Sequence, residues 1–271
     1  MSAAVIRRHA WVIGLAVLLA LLLGITKLIQ PGFGAPGLES LARAALPFAF
    51  ATAGMTIVVI AGGIDLSVGS MAAFVAGVMI MAMNALIPVL GIGVPLIIAG
   101  MCVALVAGLA AGLLNGFLIS KIGIEAFIVT LGSMGIYRSL TTWLADGGTL
   151  SLDYGARSFY RPVYYDGLLG ISWPILVFAL VAILGEIAMR HTPFGRYCAA
   201  LGANEQVARY SAVKVDRIRM GTYVLLGALV GLATIMYVPR LGSASGSTGV
   251  LWELEAIAAV IIGGTVLKGG S

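Results

Sequence analysis

Charge is what this sequence has least of. Asp, Glu, Lys and Arg make up 10% of its 271 residues against 61% apolar, and the mean hydropathy is +1.08. A soluble domain carries about 25% charged residues, so a water-soluble globular chain is excluded. Every apolar run of about 20 residues becomes a candidate membrane helix. Cysteine and histidine are as sparse, with two of each. Cys102 lies in an apolar run, Cys198 in a basic stretch, and His9 and His191 stand alone, so no disulfide framework or zinc-ligand spacing is present. The sequence holds no GxxxxGK[ST] phosphate loop, no HExxH and no GxSxG, which excludes nucleotide hydrolysis and these hydrolytic chemistries from the chain itself. No catalytic residue, metal site or cofactor is expected. The alternating pattern of barrel strands is missing too, since the apolar runs are continuous.

Those runs predict an all-α fold, a polytopic membrane helix bundle forming a single domain over 1–271. About seven full spans are legible, near 10–29, 41–62, 68–87, 95–115, 127–144, 171–189 and 220–238, the last stopped by Pro239. The final run, EAIAAVIIGG at 255–264, is too short to cross alone. Residues 146–170 and the Gly/Ser-rich GSASGSTG at 242–249 read as loops outside the hydrocarbon. The net charge of +5 is spread along the chain rather than clustered as for nucleic acid. With the N-terminus inside, Arg7, Arg8, Lys121 and the six basic residues of 190–219 fall on inner loops, and Arg43, Arg157, Arg161 and Arg240 on outer ones, the bias of a cytoplasmic N-terminus.

Asp65, in AGGIDLSVGS at 61–70, lies between two apolar runs. A carboxylate at mid-membrane costs about 2.5–3.5 kcal/mol on insertion scales, so it needs a partner. Two readings stand: Asp65 or Ser67 caps the third helix, or Asp65 touches a transported polar molecule. Asn84, Asn115, Thr130, Ser133 and Arg138 join it as pathway candidates, because polar groups in spans face an interior or a cavity. For the hydroxyls the alternative is back-bonding within their own helices. Arg138 either pairs with an acid or reaches the interface. Glu186 and Arg190, four apart, suit a simple helix pair. Tyr154, Tyr160, Tyr164 and Tyr165 fit either an interfacial belt or a docking surface. VIAGGIDLSVGS at 59–70 returns loosely as VIIGGTVLKGGS at 260–271, in the same direction by the span count. Transporters carry such repeats around broken helices, although a glycine-rich chain also produces echoes by chance. In the basic stretch 190–219, Asn204 is placed to cap a short helix over 205–210, and Asp216 to start the next helix. That short helix is either a docking element for a cytoplasmic partner or part of a solvated loop.

Four segments, AGGIDLSVGS at 61–70, NGFLISKIGIEAFIVTLGS at 115–133, TPFGRYCAALGANEQVARYSAVKVDRIRM at 192–220 and ELEAIAAVIIGGTVLKGGS at 253–271, together resemble the permease subunits of bacterial ABC importers for monosaccharides of the ribose, xylose, arabinose and galactose type. The resemblance implies a multi-pass protein of the bacterial inner membrane, surrounded by lipid. It also implies a second permease subunit, a cytoplasmic ATP-binding subunit, a periplasmic sugar-binding protein and a monosaccharide substrate moved by alternating access. In such permeases the stretch matching 202–213 is the helix that couples to the ATPase, which points to Gly202, Asn204, Ala208 and Ser211 as the contact. Members of the family run on past GGTVLKGGS with further apolar helix, so by this resemblance the chain reads as truncated at its C-terminus. The rivals are a transporter driven by a proton or sodium gradient, with Asp65 and Arg138 as its coupling pair, and a channel or purely structural membrane subunit.

Overall fold

The structure, a computed structural model, describes residues 3–265 and 269–270, with side chains from residue 13 onward. In chain order the elements are α1 (Ala3–Ile29), α2 (Ala35–Ile60), α3 (Val68–Leu90), α4 (Val94–Phe117), a π turn (Leu118–Ile122), α5 (Ala126–Leu144), β1 (Thr149–Ser151), α6 (Tyr154–Tyr160), α7 (Pro162–Tyr165), β2 (Gly167–Leu168), β3 (Ile171–Ser172), α8 (Trp173–His191), α9 (Pro193–Ala203), α10 (Glu205–Tyr210), α11 (Val215–Leu241), β4 (Ser243–Ser245) and α12 (Trp252–Ile262). Helix dominates, as the apolar runs require. Five helices are long and apolar enough to cross a membrane: α2, α3, α4 with its π turn, α8 and α11. In α1 the described apolar part is the shorter Ile13–Ile29. The 19-residue α5 carries Thr130, Ser133, Arg138, Thr141 and Thr142 and is too polar to meet the same measure.

Two compact units divide at Ala44. In the first, the last turn of α1 is closed by Lys27, whose Nζ donates to the carbonyls of Pro31, at 2.6 Å, and Phe33. Arg7, Arg8 and His9 lie where side chains are outside the described residues. In the second unit the core is built from Phe50, Met55, Val58, Met71, Met79, Met83 and Leu226, all fully buried.

Glycine sets the closest helix pair. A Cβ on Gly108 would overlap the Gly227 carbonyl, and one on Gly112 the Tyr223 carbonyl, so α4 and α11 meet backbone to backbone. Small residues four apart allow that approach where lipid supplies no hydrophobic drive.

Pro239 does not end the seventh span as expected, because α11 runs on to Leu241. Proline removes the amide that would bond the carbonyl four residues back, a loss of about 3 kcal/mol in a helix interior. The carbonyl so freed, that of Ile235, accepts the Tyr160 hydroxyl at 2.9 Å. Tyr160 and Tyr164 are therefore buried, and of the four tyrosines Tyr154 and Tyr165 are exposed.

The two expected outer loops also differ from expectation. β1 and β4 pair antiparallel, Thr149 opposite Ser245, and this ribbon lies along α3. The Asn84 amide donates to the Ser151 carbonyl at 2.9 Å and its oxygen accepts the Asp153 amide at 3.0 Å. The Leu150 side chain lies against Gly77, and Gly249 lies against Gly69. Beyond α12, the Gly270 amide reaches the Ile60 carbonyl at 3.0 Å. The chain after α11 thus returns along the length of α3 as an extended segment followed by a short helix. Non-helical backbone at that depth is tolerated where protein supplies its hydrogen bonds, here partly through β1. The short α12 needs no crossing of its own.

Candidate functional site

Asp65, Ser67, Asn115 and Ser133 close on one another. Asp65 is fully buried in the 61–67 break that Gly62 opens with its φ of 76°. Its Oδ1 accepts the Ser67 amide at 2.7 Å and the Ser67 hydroxyl at 2.6 Å. Asn115 of α4 donates from Nδ2 to Asp65 Oδ2 at 3.3 Å and to Ser67 Oγ at 3.0 Å. The Asn115 oxygen in turn accepts the Ser133 hydroxyl of α5 at 2.6 Å. Next to this cluster, the Tyr223 hydroxyl of α11 donates to the Ile64 carbonyl at 3.0 Å. A fully satisfied buried network fixes the elements it joins, here the break, α4 and α5. The expected helix cap is corrected. Ser67 occupies the cap position of α3 without a side-chain bond into the helix, and the one backbone amide that bonds the Asp65 carboxylate among the described residues is that of Ser67, not one inside α3.

The other pathway candidates lie elsewhere. Thr130 back-bonds to the Ala126 carbonyl at 2.8 Å. Asn84 holds the β1 ribbon at the far end of α3. Arg138 makes no ion pair among the described residues: half-buried, it donates from Nη1 to the carbonyls of Gly246 and Thr248 at 2.7 and 2.6 Å. Asp65 and Arg138 therefore do not form a pair. Glu186 and Arg190 do, at 2.8 Å.

Asp65 lies between spans, and burial pushes its carboxyl up to about 6, against the downward pull of its bonds from Ser67 and Asn115. A folded pKa above the unfolded 3.8 favours the protonated fold, so this contribution is complete below about pH 3.8 and is lost as pH rises through about 6. Detergent-solubilised protein is therefore expected to melt at higher temperature at pH 5 than at pH 7.5. The whole rise, from 3.8 to about 6, corresponds to about 3 kcal/mol, of which about half is in play between pH 5 and pH 7.5. Asp65→Asn should flatten that difference, and an unchanged pH profile in the variant would assign the titration to another group.

At the end of the bundle that carries this break lies the second site. Asn204 caps α10, its side-chain oxygen accepting the Val207 amide at 3.1 Å. Glu205 bonds Arg219 of α11 and Arg209, the latter at 2.9 Å, and Arg209 also reaches Asp216 at 3.2 Å. Burial works to raise the Glu205 carboxyl, but the Arg219 and Arg209 bonds outweigh it and hold it below its ordinary range. Asp216, expected to start α11, serves instead in this charge cluster, with Lys121 at 3.8 Å. α10 thereby rides on α11 as one piece.

The expected contact residues separate by face. Ala208, 3% exposed, packs inward with Ala61, Cys198, Leu201 and Val215. Gly202 also faces inward, since a Cβ there would overlap the Ile60 carbonyl. Asn204 and Ser211 are exposed, beside Val207 at 58% and Tyr210 at 90%. Gly202, Gly62 and Gly269 pack together here, so the two sequence copies touch at one end of the fold, though not through their matching glycine pairs, Gly62–Gly63 and Gly263–Gly264. Positions 266–268 and 271 of the second copy lie outside the described residues.

Sequence reasoning missed three features. The spacing of four in Gly108, Gly112 and Gly116, and in Gly227 and Gly231, would have found the α4–α11 contact. The Gly69–Gly249 approach and the buried Glu253, whose Oε2 has no hydrogen-bond partner among the described residues, carry no local signal.

Residues 37–271 match the family described as the permease component of the branched-chain amino acid transport system. The chain belongs to this permease family. Among its relatives the permease is 36% identical to the ribose import permease protein RbsC of Bacillus subtilis (strain 168) over 260 residues, covering 93% of this chain and 76% of the relative. It is 34% identical to RbsC of Escherichia coli (strain K12) over 265 residues, 96% and 80% of the two chains. A galactofuranose transporter permease protein, YtfT, of the same strain is 34% identical over 278 residues, 97% and 78%. No solved structure matches. The permease is the non-catalytic, multi-pass membrane subunit of its transport system, in agreement with the absent phosphate loop.

Proposed function

We propose that this permease passes a monosaccharide across the bacterial inner membrane by alternating access, as one subunit of an ATP-driven importer. The observation that carries this reading is the similarity, over more than nine-tenths of the chain, to permeases named for ribose import in two distant bacteria. A cytoplasmic ATP-binding subunit supplies the energy, a periplasmic sugar-binding protein delivers the solute, and a second permease subunit completes the pathway. Counting α1 and α5 with the five long apolar helices gives seven spans and a cytoplasmic N-terminus. It also leaves the α10 end, with Lys121, Arg196, Arg209, Lys214, Arg217 and Arg219, on the cytoplasmic side, where positive charge accumulates. Residues 190–219 form the coupling segment of the single permease domain. Its contact with the ATPase runs through Asn204 and Ser211 together with Val207 and Tyr210, while Gly202 and Ala208 pass the movement inward. Within the pathway, the Asp65–Asn115–Ser133 cluster holds α3, α4 and α5 in register.

The test is reconstitution. Proteoliposomes holding the permease, its ATP-binding subunit and the sugar-binding protein should accumulate a labelled monosaccharide only with ATP inside the vesicle-equivalent cytoplasmic compartment. Accumulation that follows a proton or sodium gradient without ATP would reject the proposal, as would downhill flux needing neither.

A further inference from the structure

The outward side of α5 changes along its length, from the exposed apolar Phe127, Ile128, Leu131 and Ile136 to a polar C-terminal end. Val129, Thr130, Ser133, Tyr137 and Thr141 turn inward and are buried. Arg138, Ser139, Thr142 and Asp146 recur at helical spacing on the outward side, with Trp143 among them at 75% exposure. Together with Gly147 they line a cleft of about 410 Å³. That volume lies within the about 300–1,000 Å³ typical of small-molecule sites. Polar and charged side chains on an outward face of a membrane bundle require water, a partner or a polar ligand, since lipid solvates none of them.

We propose that this cleft is a saccharide-contact site on the translocation surface; the proposal rests on the import reading above and names where the solute touches the permease. Trp143, 75% exposed, supplies an indole of the kind that stacks on the C–H side of a sugar ring. Asp146 follows it, held in the left-handed region with a φ of 49°, its amide fixed to the Trp143 carbonyl at 3.0 Å. The Asp146 carboxylate takes no hydrogen bond among the described residues and can accept from sugar hydroxyls. Ser139 and the Arg138 guanidinium add donors. The described bonds of Arg138 use Nη1 and anchor the 246–248 backbone, so the cleft shares a residue with the non-helical segment beside α3. One cation and one anion leave the site without net charge, which suits a neutral polyhydroxylated solute better than an anion, a cation or an acyl chain.

In the complete reconstituted importer, Trp143→Ala and Asp146→Asn are each expected to lower maximal uptake about tenfold, the effect of about 1.4 kcal/mol of lost contact. Trp143→Phe should keep most of the rate, and stimulation of ATP hydrolysis by the loaded binding protein should persist in all three. Modification of Ser139→Cys by a water-soluble thiol reagent should slow when saturating sugar is present. Full uptake in the Trp143→Ala, Asp146→Asn double variant would overturn the site and return Trp143 to an interfacial anchor. Labelling that sugar does not slow would overturn it as well. A wild-type complex that imports no monosaccharide with ATP would instead sink the import reading itself.

Discussion

Gly112→Leu is expected to abolish the folded permease. At Gly112 a Cβ alone already overlaps the Tyr223 carbonyl and lies 3.1 Å from the Gly227 Cα, so a leucine has nowhere to go without separating α4 from α11. What it would displace is backbone, not the flexible end of a side chain. Overpacking a core costs about 1–3 kcal/mol when neighbours can shift, and more than about 4 kcal/mol is expected where they cannot. The damage would spread, because the turns of α11 that carry Tyr223 and Leu226 also hold the Ile64 carbonyl and pack on Gly54. Gly185→Leu on α8 is the matched control, with nothing within 4 Å of its Cβ position. Size-exclusion profiles of detergent-solubilised protein should show an aggregate for the first variant and a wild-type peak for the second. A monodisperse Gly112→Leu protein would mean that α4 and α11 are not in contact through their backbones.

Helix content and the Asn204 cap were legible because both are local: apolar run length and one oxygen three residues from an amide are written in consecutive positions. What the sequence could not display is how distant polar groups are shared. Pro239 was a sound stop signal by itself, and α11 passes it because Tyr160, seventy-five residues away along the chain, takes the carbonyl that proline frees. The Gly/Ser run after α11 has loop composition, yet it is needed at depth, since small residues let its backbone press against Gly69. Asp65, Asn115 and Ser133 were each recognised as polar groups that need a partner in an apolar setting. Periodicity gave no means to see that they satisfy one another. Ala208 shows the same limit: the family resemblance marks the helix, while its inward and outward faces follow from packing on Cys198 and Leu201.

That difference in faces makes the coupling segment testable by substitutions within four consecutive residues. Val207→Asp with Tyr210→Ala changes only the outward side of α10, where surface substitutions alter stability by about 0.5 kcal/mol or less. If the ATP-binding subunit grips this face, an apolar and an aromatic anchor of about 2 kcal/mol each are lost together. Co-purification of the ATP-binding subunit and ATP-dependent uptake should then fall by well over tenfold, with the melting temperature of the permease unchanged. Ala208→Glu is expected to act through another cause. It drives a carboxylate among Ala61, Cys198, Leu201 and Val215, an unpaired burial that costs several kcal/mol, so the melting temperature falls before any contact with a partner is at issue. Uptake lost with stability intact in the first variant, and stability lost in the second, would identify α10 as a lever gripped from outside and seated from within. A double variant that still binds the ATP-binding subunit and imports at the wild-type rate would place the drive on another surface of the basic end, leaving α10 as a brace for α11.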